Sequence, residues 1–227
     1  MRLIRVSLIR LSLIGLAFIA SLASASPTSP VKGIDYIALK LPQEAKAAPG
    51  KVEVVEFFMY HCPACNATEP DIAEWLKKQG DKVEFRRIHL PYDGPNDPEA
   101  HLFLTLQALG LEQSMHAKVL KAWHIDHLRL KTDEDNIDWA IKNGIDKAKF
   151  VDAYNSFSVT AARTRLPKLA ESYEVDNTPT FIVNGRYLTN PVILSASNPK
   201  MNRNELTAAT FQVIDALVAS VLKERSK

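Results

Sequence analysis

The chain has 227 residues, 28 of them basic and 26 acidic, and its formal net charge of +2 argues against a nucleic-acid-binding protein. A length near 200 residues suits one large domain or one domain with an insertion. The chain contains only two cysteines, which cannot form a disulfide framework for a protein of this size, so a disulfide-rich scaffold is excluded.

The first 25 residues have the pattern of a cleaved secretory signal. Arg2, Arg5 and Arg10 precede the apolar run LSLIGLAFIASLA, and the small residues ASA end at Ala25. A transmembrane anchor is the alternative, but the run is short for a spanning helix and the polar SPTSP follows it. Cleavage leaves 25 basic and 26 acidic residues, and export predicts an oxidising compartment for the cysteines.

The next segment predicts a strand–helix–strand unit. After an irregular lead-in with a short strand at 35–39, the nearly continuous apolar run KVEVVEFFMY predicts a buried strand. Cys62 follows at once and opens a helix that continues to about Gln79. DKVEFRRIHL predicts the next strand, at 83–89, and PYDGPND predicts a loop.

From about residue 98 to residue 173 the pattern is helical. EAHLFLTLQALG, a segment at 113–127, TDEDNIDWAIKNG, DKAKFVDAYNS and SVTAARTRLPKLAESYEV each predict a helix. Thr132 and Asp135 form a capping-box pattern, and Pro167 is expected to kink the last of these helices.

Strands return in TPTFIVNGRYL, where Asn184-Gly185 predicts a hairpin turn. TNPVILSASNPKMN predicts a loop, and the apolar residues of RNELTAATFQVIDALVASVLKE predict a one-faced terminal helix. This order predicts an α/β fold in which the strand–helix–strand unit and the hairpin share one sheet and the helical block is an insertion.

Cys62 and Cys65 predict an exchangeable redox pair. Cys62 lies between a strand and a helix, with Pro63 at the first helical position, so backbone N–H groups and the positive helix end stabilise its thiolate. Such contacts lower a cysteine pKa from about 8.5 to about 3.5–7.5 and make the disulfide oxidising. Cys65 lies one turn further on the same helix face and is predicted to be less exposed and to release mixed disulfides.

Two other roles for the cysteines have less support. A bridge between positions three apart closes a very short loop and adds little stability through chain entropy, so a structural disulfide is a poor explanation. A zinc site needs further ligands, and no sequence feature places His116, His124 or His127 near Cys62. No metal site is predicted.

Glu56 lies within the apolar strand VVEFF, where a buried carboxylate has a raised pKa and transfers protons near neutral pH. Because Cys65 has to lose a proton to attack, Glu56 is a candidate proton relay. The alternative is a strand-end carboxylate that faces solvent or pairs with Arg86 or Arg87. The residues alone leave both interpretations open.

Pro179, in NTPTF, lies just before a strand, where a cis bond and an ordinary trans bond both fit. A cis bond would present the N–H and C=O of Thr178 to an extended substrate peptide. Tyr60 and the residues of PVILSA are candidates for lining a substrate groove, with an ordinary place in the core as the alternative.

Together, EFFMYHCPACNATEP, TPTFIVNG, YLTNP and the intervening helices resemble the DsbA-like periplasmic thiol–disulfide oxidoreductases of the thioredoxin superfamily. The resemblance covers nearly all of the chain after the signal. It implies a thioredoxin-like domain at 26–92 and 174–227, with an all-helical insertion at 93–173. It also implies a periplasmic location, exported polypeptides as substrates, and reoxidation by a DsbB-type membrane partner coupled to quinone. No cofactor is predicted, and nothing in the sequence demands more than a monomer.

The resemblance also implies a role for each site residue. Cys62 would be the nucleophile, Cys65 the buried resolving cysteine and Pro179 the cis proline beside them. Glu56 would be the buried acid under the site, and Glu69 falls where the family often has another acid.

The chain departs from the best-known members of the family at two positions. Those members carry Cys-Pro-His-Cys, whereas Ala64 cannot stabilise the thiolate, so the pair is expected to be less oxidising. His61 would compensate in part if its ring turned toward the sulfur of Cys62. Thr178 replaces the valine of some members and is expected to alter substrate release. These positions and Pro63 are the candidate substrate-binding residues.

The main hypothesis is therefore an oxidase that forms disulfides. A reductase or isomerase is the alternative that Ala64 and Thr178 favour, although the short lead-in before Lys51 leaves little room for the dimerisation region of isomerases. A third hypothesis is a peptide-binding module in which the cysteines are incidental. Cys62→Ser would abolish either enzyme activity and leave a binding module intact.

Overall fold

The computed structural model describes residues 29–226, so the predicted signal segment lies outside the described residues. Within that range five strands and eight α-helices are present. The strands are β1 (Ile37–Ala38), β2 (Val52–Phe58), β3 (Val83–His89), β4 (Thr180–Val183) and β5 (Tyr187–Thr189). The helices are α1 (Pro63–Gln79), α2 (Pro98–Ala108), α3 (Glu112–His124), α4 (Asp133–Lys142), α5 (Lys147–Tyr154), α6 (Phe157–Ser172), α7 (Pro191–Ser197) and α8 (Arg203–Arg225).

The five strands form one sheet in the order β1-β5-β4-β2-β3. Strands β2 and β3 run parallel and are joined through α1, whereas the other neighbours pair antiparallel. All seven residues of β2 are buried, as the continuous apolar run predicts for a central strand covered on both faces. Because Cys62 comes four residues after the end of β2, this buried central strand fixes where the cysteine lies.

Each face of the sheet packs against helices. One face, with Val54 and Val183 of β2 and β4, forms a core with Ile72 and Trp75 of α1 and with the apolar residues of α8. Among the described helices, α8 alone is long and apolar enough to cross a membrane. Half of its most apolar stretch is buried inside the protein. The amphipathic prediction for the terminal helix is thereby confirmed.

The other face packs against the helical block. Val55 and Phe57 of β2 join a core with residues of α2 to α6, among them Leu102, Phe150 and Leu166. These five helices all lie within 93–173, so the α/β class with helices inserted between two halves of one sheet is confirmed. The division into two domains at these boundaries stays a prediction.

Most predicted elements match the structure. The strand at 83–89 has the predicted bounds, and the lead-in strand shortens to Ile37–Ala38. Thr132 caps α4 by accepting the N–H of Asp135, and α6 continues through Pro167. The helix expected at 113–127 ends at His124, since the chain turns there and His127 adopts a positive φ of 55°.

The loop predicted for TNPVILSASNPKMN was wrong. Residues Pro191–Ser197 of this stretch form α7, whose first turn is capped by Asn190 through a hydrogen bond of 2.8 Å from the N–H of Ile193 to Oδ1. Pro191 occupies the first helical position, where its missing N–H costs nothing. The Asn-Pro pair therefore begins a helix where the sequence pattern predicts a loop.

The hairpin turn prediction is confirmed, and the turn requires its glycine. Asn184 and Gly185 both have positive φ, and the N–H of Arg186 donates to the C=O of Val183 at 3.0 Å. A Cβ at Gly185 would lie 2.1 Å from the carbonyl oxygen of Gln43, which itself bonds this turn through its N–H. Only glycine allows the lead-in segment to approach the hairpin this closely.

Candidate active site

The two cysteines lie at the N-terminus of α1, where the chain leaves β2. Cys62 is the N-cap residue, with extended backbone, and Pro63 begins the helix. The Sγ of Cys62 accepts the N–H of Cys65 at 3.3 Å and lies 3.6 Å from the carbonyl oxygen of Thr178. Cys62 is 8% exposed and Cys65 only 1%, so the predicted difference in exposure is confirmed.

The surroundings of the two sulfurs push their pKa values in opposite directions. Hydrogen bonding from Cys65 is the largest cause that lowers the pKa of Cys62 to about 5, with Thr178 and the N–H groups of Ala64 and Cys65 adding to it against burial. Burial and the bond to Cys62 raise the pKa of the Cys65 thiol well above its usual range. At neutral pH the pair therefore holds one thiolate and one thiol, which is the arrangement that thiol–disulfide exchange requires.

The segment before β4 forms the other side of the site. The Thr178–Pro179 peptide bond is cis, and Pro179 is buried while Thr178 is partly exposed next to the Cys62 sulfur. Among residues 29–226 the N–H of Thr178 has no hydrogen-bond acceptor. The backbone at Thr178 is thus close to the sulfur and free to pair.

Glu56 is fully buried in the central strand, which removes the alternative of a solvent-facing carboxylate. In the parallel register it lies opposite Arg87, whose Nε donates to Oε2 at 3.0 Å, so of the two arginines considered Arg87 is the partner. The other carboxylate oxygen has no partner within the described part of the chain. Burial outweighs the attraction of Arg87 and raises the pKa of Glu56 to about 8, so the group holds a proton at neutral pH.

Arg87 connects Glu56 to the helical block. Its Nη2 donates to both oxygens of Glu69 on α1, at 2.9 and 3.2 Å, and Glu69 in turn bonds the Nε2 of His116 on α3 at 3.0 Å. Burial alone would raise the pKa of Glu69, but the bonds from His116 and Arg87 hold it below its usual value. No sequence signal indicated this role for His116, because its partner lies 47 positions away on another helix.

The ring of His61 bonds Glu99. Its Nδ1 lies 2.7 Å from Oε1 of Glu99, and the His61 N–H donates to Oε2 at 2.9 Å. The bond to Glu99 is the largest cause of the raised pKa of His61, and the charge of Cys62 adds to it. Burial opposes, yet the bonds from His61 and His89 lower the pKa of Glu99 to about 2. The ring of His61 is therefore held by Glu99, and the compensation for Ala64 stays a prediction. Sequence reasoning missed Glu99.

A groove of about 850 Å³ runs beside Cys62. Of the predicted substrate-binding residues His61, Pro63 and Thr178 line it, whereas Ala64 is outside the lining and packs against the core. The expected lining by Tyr60 and PVILSA was wrong, since Tyr60 is fully buried and the groove is formed by other residues. Those residues include Met59, Leu90, Tyr92, Pro167, Ala170 and Val175.

Two of the three histidines considered for a zinc site have other partners. His116 bonds Glu69, and the Nε2 of His124 bonds the carbonyl oxygen of Tyr60 at 2.8 Å. Across residues 29–226 no group of three or more His, Cys, Asp or Glu side chains is arranged to hold a metal ion.

Similarity to known proteins extends over the whole of this site. A family model described as Thioredoxin matches residues 45–197. The thiol:disulfide interchange protein DsbA of Burkholderia cepacia is 38% identical over 209 residues, which are 92% of this chain and 94% of that protein. The protein of the same name from Pseudomonas aeruginosa is 39% identical over 155 residues, which are 68% of this chain and 73% of that protein.

Solved structures show the same likeness. The crystal structure of Pseudomonas aeruginosa DsbA superposes with a TM-score of 0.72 at 34% identity, over 86% of this chain and 96% of that one. Reduced DsbA1 from Neisseria meningitidis gives a TM-score of 0.71 at 26% identity, over 88% of this chain and 99% of that one. The match therefore includes the sheet, the cysteine helix and the helical insertion.

Proposed function

Because the chain belongs to the DsbA-like family of thiol:disulfide oxidoreductases, which have a thioredoxin fold with an inserted helical region and introduce disulfide bonds, we propose that it oxidises exported polypeptides through Cys62 and Cys65. The observation that carries this proposal is the opposite shift of the two cysteine pKa values at the N-terminus of α1. A thiolate stabilised in this way leaves readily from a mixed disulfide.

The exchange has two steps. A substrate thiolate attacks the Sγ of Cys62 in the Cys62–Cys65 disulfide, the S–S bond breaks, and Cys65 leaves and takes up a proton. A second substrate thiolate then attacks the substrate sulfur of the mixed disulfide, and Cys62 leaves as a stabilised thiolate. The substrate loses two electrons, which the cysteine pair gains. If the second step is slow, Cys65 attacks the Sγ of Cys62 in the mixed disulfide. The Cys62–Cys65 disulfide then forms again, and the substrate leaves as a thiolate.

Glu56 is the proton donor and acceptor for Cys65 in this proposal. Its charge is among the causes that raise the pKa of Cys65, so the two groups interact. A carboxyl group with a pKa of about 8 gives up and takes back a proton at little cost near neutral pH. Arg87 and Glu69 hold it in place through the hydrogen bonds described above.

The substrate is proposed to lie along Thr178 and the groove. The free N–H and the C=O of Thr178, next to the sulfur, suit pairing with an extended peptide, with Pro179 fixing this turn of the backbone. His61 and Pro63 contact the same groove. We also propose a periplasmic location after signal cleavage and reoxidation by a DsbB-type membrane partner, because the chain is similar to proteins that bear the DsbA name. A monomer as the working unit stays a prediction from the sequence.

The reduction potential tests the direction of exchange. We expect the purified chain from residue 26 onward, equilibrated with glutathione buffers, to give a potential much closer to about −120 mV than to about −270 mV, since the thiolate of Cys62 is strongly stabilised. The reduced fraction is measured by alkylation of free thiols followed by mass spectrometry. A potential near that of reductants would instead favour the reductase alternative, and a pair that does not equilibrate would refute exchange altogether.

Replacing Glu56 with glutamine tests the proton relay. We expect Glu56→Gln to slow attack by Cys65 on a mixed disulfide about tenfold or more, and to remove the step near pH 8 from its pH–rate profile, because the relay group no longer titrates. Stopped-flow measurement of mixed-disulfide resolution between pH 6 and 9 reads both effects.

Glu53→Gln is the matched control for this relay. Glu53 lies on the same strand, is 1% exposed and pairs with Arg86 at 2.6 Å, but it does not interact with the cysteines. Its substitution should leave the resolution rate and its pH profile unchanged. An equal slowing in both variants would mean that the effect of Glu56→Gln comes from the loss of a buried carboxyl group in β2 and not from a proton relay.

A further inference from the structure

A second cavity lies next to the groove. It has a volume of about 490 Å³, and among its walls are His61, Tyr92, Glu99, Trp123, Arg129 and Lys131. His61 and Tyr92 also line the groove, so they form the boundary between the two cavities. We call this second cavity the basic pocket, after Arg129 and Lys131, the two exposed cations of its walls. His61, in the wall that it shares with the groove, is the residue before Cys62.

The acidic and basic side chains of the basic pocket differ in whether they have partners. Glu99 bonds His61, and the carboxylate of Asp97 accepts the N–H groups of Tyr92 and Ala100, so the oxygens of both buried acids already have donors, although Asp97 keeps its negative charge. Arg129 and Lys131 are exposed, and neither has an ion-pair partner among residues 29–226. Asp93 is the remaining exposed carboxylate of the walls.

The aromatic walls favour a ligand that is both polar and partly apolar. The guanidinium of Arg129 lies over the ring of Trp123, 5.8 Å from its centroid, which places its charge next to an apolar surface. Tyr92 is 80% exposed and makes an edge contact with the ring of His61, 5.6 Å between centroids. An arginine held in this way presents parallel N–H donors of its planar guanidinium to a carboxylate.

On the basis of the proposed function, we infer that the basic pocket is a second substrate subsite that binds an acidic side chain of the polypeptide being oxidised. A chain that pairs with Thr178 and places its cysteine at Cys62 continues past His61 into this pocket. A carboxylate there meets the free charges of Arg129 and Lys131, and no buried carboxylate has to be freed for it. The pocket therefore favours cysteines that have acidic residues nearby.

Three test peptides probe this subsite. They carry two cysteines each and differ only at two positions beside the first cysteine, which are Asp-Asp, Asn-Asn or Lys-Lys. The second-order rate of their oxidation is measured with the oxidised full-length mature protein at low and high salt. We expect the Asp peptide to react about fivefold faster than the Lys peptide at low salt, with the ratio falling as salt rises.

Charge reversal at the pocket should invert this preference. In Arg129→Glu with Lys131→Glu the Lys peptide should react faster than the Asp peptide, and Arg129→Gln with Lys131→Gln should react with both equally. The ratio of the two peptide rates is measured with one preparation of each variant, so it does not depend on the fraction that folds.

Lys82→Glu with Lys223→Glu, which makes the same change in net charge, is the control and should keep the wild-type ratio. Both residues are exposed: Lys82 precedes β3 and Lys223 lies near Arg225, which bonds Lys51 at the far end of β2.

The outcomes separate the two proposals. If the wild type oxidises all three peptides at one rate, or if the control pair changes the ratio as much as the pocket pair does, the subsite is refuted while disulfide formation stands. If the wild type oxidises none of the peptides, the proposed function fails and the subsite fails with it.

Discussion

Replacing Cys62 with serine is expected to abolish disulfide formation completely, whereas replacing Cys65 with serine is expected to leave a protein that reacts at most once and accumulates mixed disulfides that the second substrate thiol is slow to release. The difference follows from the positions of the two sulfurs. Cys62 is at the edge of the groove with a pKa of about 5, and Cys65 lies behind it with a raised pKa. Only Cys62 is therefore reached and attacked.

The two variants separate the roles of the cysteines because the chain has no third thiol to take their place. The remaining cysteine of each variant is first converted to a mixed disulfide with glutathione, which supplies the oxidising equivalent. A reduced, denatured substrate with a single essential disulfide is then mixed with each variant, and the recovery of native substrate is followed over time. Non-reducing electrophoresis and mass spectrometry then identify the covalent complex with the substrate.

A different pattern would support a different function. If Cys62→Ser still protected unfolded substrates from aggregation as well as the wild type does, the hypothesis of a peptide-binding module would regain weight. If both variants formed equal amounts of mixed disulfide, the assigned order of attack would be wrong. Cys62→Ala should behave as Cys62→Ser does, since a hydroxyl group does not replace the thiolate as a nucleophile here.

The sequence was sufficient to locate the cysteine pair but not its surroundings. The location of Cys62 follows from local signals, namely an apolar strand, a proline at the first helical position and a second cysteine one turn later. The matching DsbA relatives confirm the resemblance that these residues carry, and with it the activity. These features depend only on residues that are close in sequence, so they can be recognised in a single amino-acid sequence.

Contacts between distant elements could not be predicted in the same way. That Glu56 pairs with Arg87 and not Arg86 depends on the register of two parallel strands, since a shift of one residue would place the other arginine on that face. Glu99 and His116 come from α2 and α3, whose packing on the site is a matter of tertiary structure. The helix α7 was missed for a local reason, because Asn-Pro serves equally as a turn and as a helix start.

The free energy of unfolding should depend on pH differently in the reduced and the oxidised protein. The pKa of Cys62 is about 5 in the folded reduced protein and about 8.5 in an unfolded chain, so folding favours the thiolate. A lowered pKa contributes stability that is complete above the unfolded value and is lost as the pH falls through about 5. The oxidised protein has no thiolate and lacks this contribution.

Between pH 5.5 and 7.5 the stability of the reduced protein relative to the oxidised protein should therefore rise by about 2–3 kcal/mol, at about 1.4 kcal/mol per pH unit. The disulfide closes a loop of only four residues, so its chain-entropy contribution to the stability of the oxidised protein is small and does not depend on pH. This offset leaves the slope unchanged. Glu56 is buried in β2 and is common to both forms, so its contribution cancels in the difference to first order.

Urea unfolding followed by circular dichroism, with and without a reducing agent at several pH values, measures this difference. Cys62→Ser is the control, since it can form neither the thiolate nor the disulfide and should give the same curve in both conditions. Parallel curves for the two forms of the wild type would refute the lowered pKa of Cys62. A positive slope would mean that the stabilised thiolate of Cys62 makes reduction of the disulfide more favourable in the folded protein as the pH rises, which favours donation of the disulfide at neutral pH.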